Sequence, residues 1–138
     1  MIKKKNVKDV CFKFALPHGM ITKQILKNYT IGILTTCIKR DIFQKMKFNS
    51  QLNIIGDFDF FVNLSTKYKI GCIQEPLAYY RKHDENYSKK NIQTHINELN
   101  HWINNNNVKF KNFGYSLFHQ KIVLFKLRLK YVLNFLGV

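Results

Sequence analysis

Hydrophobic positions along this chain fall into two kinds of block. Some recur every three or four residues, the mark of a helix with one buried face; others are short β-branched runs, the mark of a strand. Pro17-His18-Gly19 is a turn signal. Thr22 then caps a short helix over 22–29. The run "TIGILTTCI" at 30–38 predicts a buried strand, and Ile42, Phe43 and Met46 place a short helix over 39–47. A loop at 49–53 leads to the best helix of the first half, 56–69. "IGCIQ" at 70–74 predicts a strand that Pro76 breaks, and "LAYYRKH" at 77–83 reads as extended. Ile92, Ile96, Leu99 and Ile103 share one face of a helix over 91–104, which the asparagines at 104–107 end. A longer, very apolar helix is predicted over 115–136. This order of elements predicts an α/β chain. It lacks opening βαβ units, a GxGxxG turn and a P-loop, which argues against a nucleotide-binding domain of those types.

Two features carry candidate chemistry. In "IIGDFDFFVNLS", Asp57 and Asp59 are one residue apart. At about 100° per residue Asp57 lines up with Phe61, Leu64 and Tyr68, and Asp59 with Asn63, Thr66 and Lys67. Asp57 therefore heads the inward face and Asp59 a polar, solvated one. The divergence argues against one metal held by both. The plainer account is that both carboxylates complement the helix dipole. The functional one is an ionised Asp57 at a cleft floor, ready to accept a proton. In an extended 77–83 segment, Tyr79, Arg81 and His83 share one face. Arg81 and His83 could grip a diphosphate, and a neutral His83 could ligate a metal; a solvated basic edge strand is the simpler alternative.

Composition adjusts this picture. The 138 residues suffice for one domain with a core, and the apolar share of 46% favours folding over disorder. Twenty-three Lys and Arg oppose 8 Asp and Glu, a net charge of +15 that calls for an acidic partner such as nucleic acid, an anionic membrane surface or a phosphorylated ligand. Against nucleic acid, no RNP, zinc or helix-turn-helix signature appears. Cys11, Cys37 and Cys72 are odd in number and lie in apolar contexts, which predicts buried free thiols in a reducing cytoplasm. No signal-peptide h-region follows the basic start, and no uncharged run reaches the ~20 residues of a membrane span.

No acidic residue follows Glu98, while Lys109, Lys111, Lys121, Lys126, Arg128 and Lys130 do. On the last helix His119, Lys126, Lys130 and Asn134 form one stripe, with Lys121 and Arg128 nearly opposite, so the charge pattern is not cleanly amphipathic. Such a helix either lies in an anionic membrane interface or packs on protein with snorkelling lysines.

Taken in order, the segments of 21–88 resemble the acceptor-side half of family-2 glycosyltransferases, which have the GT-A fold. The residues that carry the resemblance are Thr35 and Thr36, Lys39-Arg40, Gly56-Asp57, Glu75-Pro76-Leu77, Tyr80-Arg81, His83 and Ser88. The resemblance implies a partial GT-A-like domain over 1–90, followed by a basic helical region over 91–138. It implies that Asp57 is the catalytic base that deprotonates the acceptor hydroxyl. It also implies that Arg81 and His83 close on the donor diphosphate, with His83 reaching the metal in some members, and that Thr35 and Thr36 lie on the acceptor side. Gly56 stands where the family usually has Glu, which removes a carboxylate that helps orient the acceptor.

The family's Asp-x-Asp for Mg or Mn, at a strand end in its nucleotide-binding half, has no counterpart here. The chain is therefore expected to be about half of a catalytic domain and inactive alone. Its donor would be a nucleotide-sugar and its acceptor a polysaccharide or lipid-linked glycan, at the cytoplasmic face of a membrane. The alternatives are a basic nucleic-acid module or a non-catalytic remnant.

Overall fold

A computed structural model describes residues 12–79 and 87–136. The described residues form a helical structure. Helix α1 is Thr22–Lys27, a 3-10 turn covers Ile33–Thr35, and α2 is Arg40–Lys45. Then come α3, Gly56–Ser65; α4, Tyr87–Lys90; α5, Ile92–Asn112; and α6, Phe118–Leu136. There is no sheet among them; one isolated antiparallel bridge joins Gly19 to Ile70. The α/β expectation, a partial GT-A-like domain, is thereby overturned. The physical reason is pairing. A strand is stable only when its N–H and C=O groups find a neighbouring strand, and among the described residues the β-branched runs at 30–38 and 70–74 find none beyond that bridge. Ile33, Leu34 and Ile73 accordingly stay exposed.

Burial holds the helices together instead. Ile21, Ile25 and Leu26 of the first segment meet Ile55 and Val62 of the α3 region, then Ile96, Leu99, Trp102, Ile103 and Phe110 of α5, and Leu124 of α6. One core therefore draws on residues from both sides of position 90. A satellite cluster of Phe60, Phe61 and Leu64 takes in Ile42 and Met46 of the α2 segment. Phe48 stacks on Phe60 there, with centroids 4.3 Å apart. Ile21, not Thr22, occupies the cap position of α1. Thr22 is buried, and its hydroxyl accepts a 3.0 Å hydrogen bond from Ser65 at the end of α3. Gln120 of α6 donates from Nε2 to the Leu26 carbonyl, tying α6 to the end of α1.

Helix α5 runs through the four asparagines instead of ending there. Asn106 donates back to the Trp102 carbonyl at 2.9 Å, and burial of Phe110 draws the helix on for two more turns. It stops at Gly114, which has φ +76°; Tyr115 N–H reaches the Phe110 carbonyl at 2.8 Å and Gly114 N–H the Lys111 carbonyl at 2.9 Å. This is the Schellman pattern, and it needs the left-handed backbone that glycine adopts freely. Gly114→Ala should cost about 1 kcal/mol, since a Cβ there meets no neighbour but strains φ. Chemical denaturation checks this; an unchanged midpoint would show that the turn tolerates a side chain.

The cysteines depart from expectation too. Cys37 is exposed and Cys72 only partly covered, both as free thiols, because the strands that would have buried them do not form; Cys11 lies outside the described residues.

Candidate functional site

The start of α3 is built by a residue far away in sequence. Glu98 of α5 is buried, and its carboxylate accepts the backbone N–H groups of Asn53 at 2.8 Å, Ile54 at 3.0 Å and Ile55 at 3.2 Å. Ile55 holds the cap position of α3 and has no side-chain cap of its own. Glu98 therefore does from another helix what a local Ser or Asp usually does: it absorbs the orphan donors where the loop enters the helix. Burial alone would raise the Glu98 pKa, but the three N–H donors outweigh it and hold the carboxyl below its ordinary range. His95, one turn earlier, is pushed down by burial, with Glu98 pulling weakly the other way.

One turn beyond Glu98, Trp102 donates its indole N–H to Asp59 Oδ1 at 2.8 Å. Asn63 donates to the same oxygen at 2.7 Å, and Lys109 in turn donates to the Asn63 side-chain oxygen. Asp59 is therefore not a solvated residue, as the helical projection implied. It is a half-buried clasp between α3 and α5. The projection treated α3 in isolation, whereas α5 packs along its polar edge.

Asp57 occupies the first turn of α3, half-buried. Its Oδ1 accepts the Phe58 N–H at 2.7 Å. Beside it lies the hydroxyl of Tyr29, buried and without a partner in hydrogen-bonding geometry. Burial, reinforced by the adjacent Asp57 charge, pushes the Tyr29 phenol far above its ordinary range and keeps it protonated. Tyr29, Phe58, Trp102 and Phe110 form a continuous chain of edge-to-face and tilted rings that runs into the core, with centroid separations of 5.4, 4.9 and 5.6 Å. A Tyr29→Phe variant removes an unsatisfied buried hydroxyl, so its stability should match the wild type or exceed it by up to about 1 kcal/mol. Destabilisation by more than that in urea unfolding would mean that the hydroxyl is satisfied.

Among the described carboxylates, Asp41 and Glu75 are exposed and Asp59 and Glu98 are committed to neighbours. Asp57 alone combines partial shelter, a helix N-terminus and a neighbouring neutral hydroxyl. Thr35 and Thr36 sit at the 3-10 turn, and each hydroxyl donates at 3.0 Å to a carbonyl three residues back, of Gly32 and Ile33. They are turn residues there and are not brought against Asp57 by any hydrogen bond. Arg81 and His83, the expected diphosphate grip, lie outside the described residues. No cluster of three or more His, Cys, Asp or Glu that could hold a metal occurs among the described residues.

The sequence reading passed over Tyr29 and Glu98. Glu98 had a visible signal: a carboxylate between Ile96 and Leu99, one turn before Trp102, on a helix otherwise free of acids. Tyr29 had none, because its role depends on how α1 meets α3.

No family model, curated protein or solved structure matches the chain.

Proposed function

We propose that the chain forms the acceptor-facing part of a family-2-like glycosyltransferase, in which Asp57 is the base for the acceptor hydroxyl. The single observation that supports the reading is the setting of Asp57, coupled with the order of motifs around it. Asp57 lies in the first turn of α3, half-buried, with one carboxylate oxygen held by the Phe58 N–H. A protonated Tyr29 beside it cannot compete as a base, and the half-buried Phe58 next to Asp57 adds an apolar wall to the setting. In the reaction, Asp57 takes the acceptor proton as the hydroxyl oxygen attacks the anomeric carbon of the donor sugar. The bond to the nucleoside diphosphate breaks, and its electron pair leaves with the phosphate. The residues that grip that diphosphate are Arg81 and His83 by the same resemblance. A divalent metal there would neutralise the leaving phosphate; the described residues supply no ligand set for one.

Titrating soluble oligosaccharide and lipid-linked acceptor analogues into isotopically labelled chain tests the reading by amide chemical shifts. An acceptor should move Gly56, Asp57 and Phe58 together with Tyr29. If a broad acceptor panel leaves these four unmoved, or moves only the basic surface, the assignment fails.

A further inference from the structure

Helix α6 presents a second apolar face that the core of the described residues does not use. At about 100° per residue, Gln120, Leu124 and Leu127 point to the core, and burial agrees: the first two are buried and the third half-buried. Directly opposite, Phe118, Ile122, Phe125, Leu129, Val132 and Leu136 fall in one stripe about 80° wide. Five of the six are open to solvent, with Phe118 at 61%, Phe125 at 66% and Leu136 at 64% exposure, and Ile122 is half-buried. From Arg128 to Leu136 every residue is exposed, so the helix runs past the core it packs on. The stripe is ~27 Å long at about 1.5 Å per residue.

The charges lie along its edges. Lys121 and Arg128 flank one side, Arg128 also donating to Asn100 of α5 at 3.1 Å; Lys126 and Lys130 flank the other, and no acidic residue occurs after Glu98. The cations that seemed to spoil the helix's amphipathicity are therefore arranged about the outer stripe rather than about the core-facing one.

We propose that the outer stripe of α6 docks flat on a lipid bilayer surface carrying anionic headgroups. The apolar side chains enter the acyl boundary, while the four flanking cations extend along it to the phosphates. Two observations favour this occupant. Cations bracket the stripe on both edges, as an anionic plane requires. A second copy of the chain would bring two bodies of net charge +15 together. The helix lies on the bilayer and does not cross it, since no described helix is long and apolar enough to span. The proposal rests on α6 alone, so it and the glycosyl-transfer reading can fail separately.

Co-sedimentation of the full chain with vesicles tests it. One set is pure phosphatidylcholine; the other contains about 30% phosphatidylglycerol. The chain should partition onto the anionic set. A stripe variant, Phe125→Ser with Leu129→Ser, should weaken partitioning by about 100-fold. A flank variant, Lys121, Lys126, Arg128 and Lys130→Gln, should weaken it by at least about 100-fold. A control removing four exposed cations elsewhere, Lys23, Lys45, Lys47 and Lys67→Gln, should stay within about 5-fold of the wild type. Far-UV circular dichroism confirms that each variant keeps its helix content. Equal loss in control and flank variants would reduce the effect to net charge and overturn the proposal. So would stripe-variant binding equal to wild type, lipid-free self-association that the stripe variant abolishes, or RNA binding that displaces vesicles and survives the stripe variant.

Discussion

Glu98→Ala lowers the unfolding free energy by about 3 kcal/mol, the largest expected loss for a single polar side chain here. The substitution strands N–H donors that have no other partner: that of Ile55 is buried at the start of α3 and that of Ile54 is half-buried beside it. Glu98→Gln should cost less, about 1–2 kcal/mol. Its single carbonyl oxygen can replace Oε2 at Ile54 and Ile55, while the Asn53 N–H, on an exposed residue, turns to water. Urea unfolding followed by circular dichroism reads both changes. Variants as stable as the wild type would show that the 53–55 turn stands without Glu98.

The same carboxylate sets an acid limit on the fold. Both His95 and Glu98 have folded pKa values below their ordinary 6.5 and 4.5, so the unfolded chain binds more protons in each case. Stability is full above about pH 7 and falls in two stages as pH drops: first below about 6.5, as unfolded His95 takes a proton, then below about 4.5, as unfolded Glu98 does. His95→Gln removes the first stage and Glu98→Gln the second. Tyr29 works at the other end: its raised folded pKa costs nothing below pH 10 and destabilises the fold above it.

Under the proposed function, Asp57→Asn should lower sugar transfer by about 100- to 10,000-fold and leave the fold intact. Asparagine keeps the shape and can still accept the Phe58 N–H, but it cannot take a proton. The loss should appear in kcat, with donor KM little changed, because the base acts in the transition state. Asp59→Asn is the informative contrast. It disturbs the clasp to Trp102 and Asn63, so it should lower stability by about 1–2 kcal/mol and spare most of the activity at permissive temperature. The reverse pattern, with activity lost only in the Asp59 variant, would reassign the base.

The helices were legible in the sequence wherever an apolar face repeated at helical spacing. The starts of α3 and α5, and the Ile96, Leu99 and Ile103 stripe, follow from local pattern alone. The end of α5 did not, because four asparagines look like a stop when each is judged by propensity. Phe110 and Gly114, which fix the true end, act through burial and a left-handed turn that lie beyond the asparagines. The strands failed for a different reason. Pattern shows that a segment is fit to pair, and not whether a partner is present. The site divides in the same way. The place of Asp57 at a helix start was readable, whereas the Asp59 clasp, the Glu98 cap and the Tyr29 contact join residues about 30 to 45 positions apart, and no local period encodes them.

Glycosyl transfer through Asp57 is the function proposed for this chain. The most direct measurement is incorporation of labelled sugar, from a panel of nucleotide-sugars, into lipid and polysaccharide fractions of a native extract depleted of the chain. At least one incorporation should disappear on depletion, return with added wild-type chain and stay absent with the Asp57→Asn variant. Incorporation from every donor that is unchanged by depletion, or restored equally by Asp57→Asn, would contradict it.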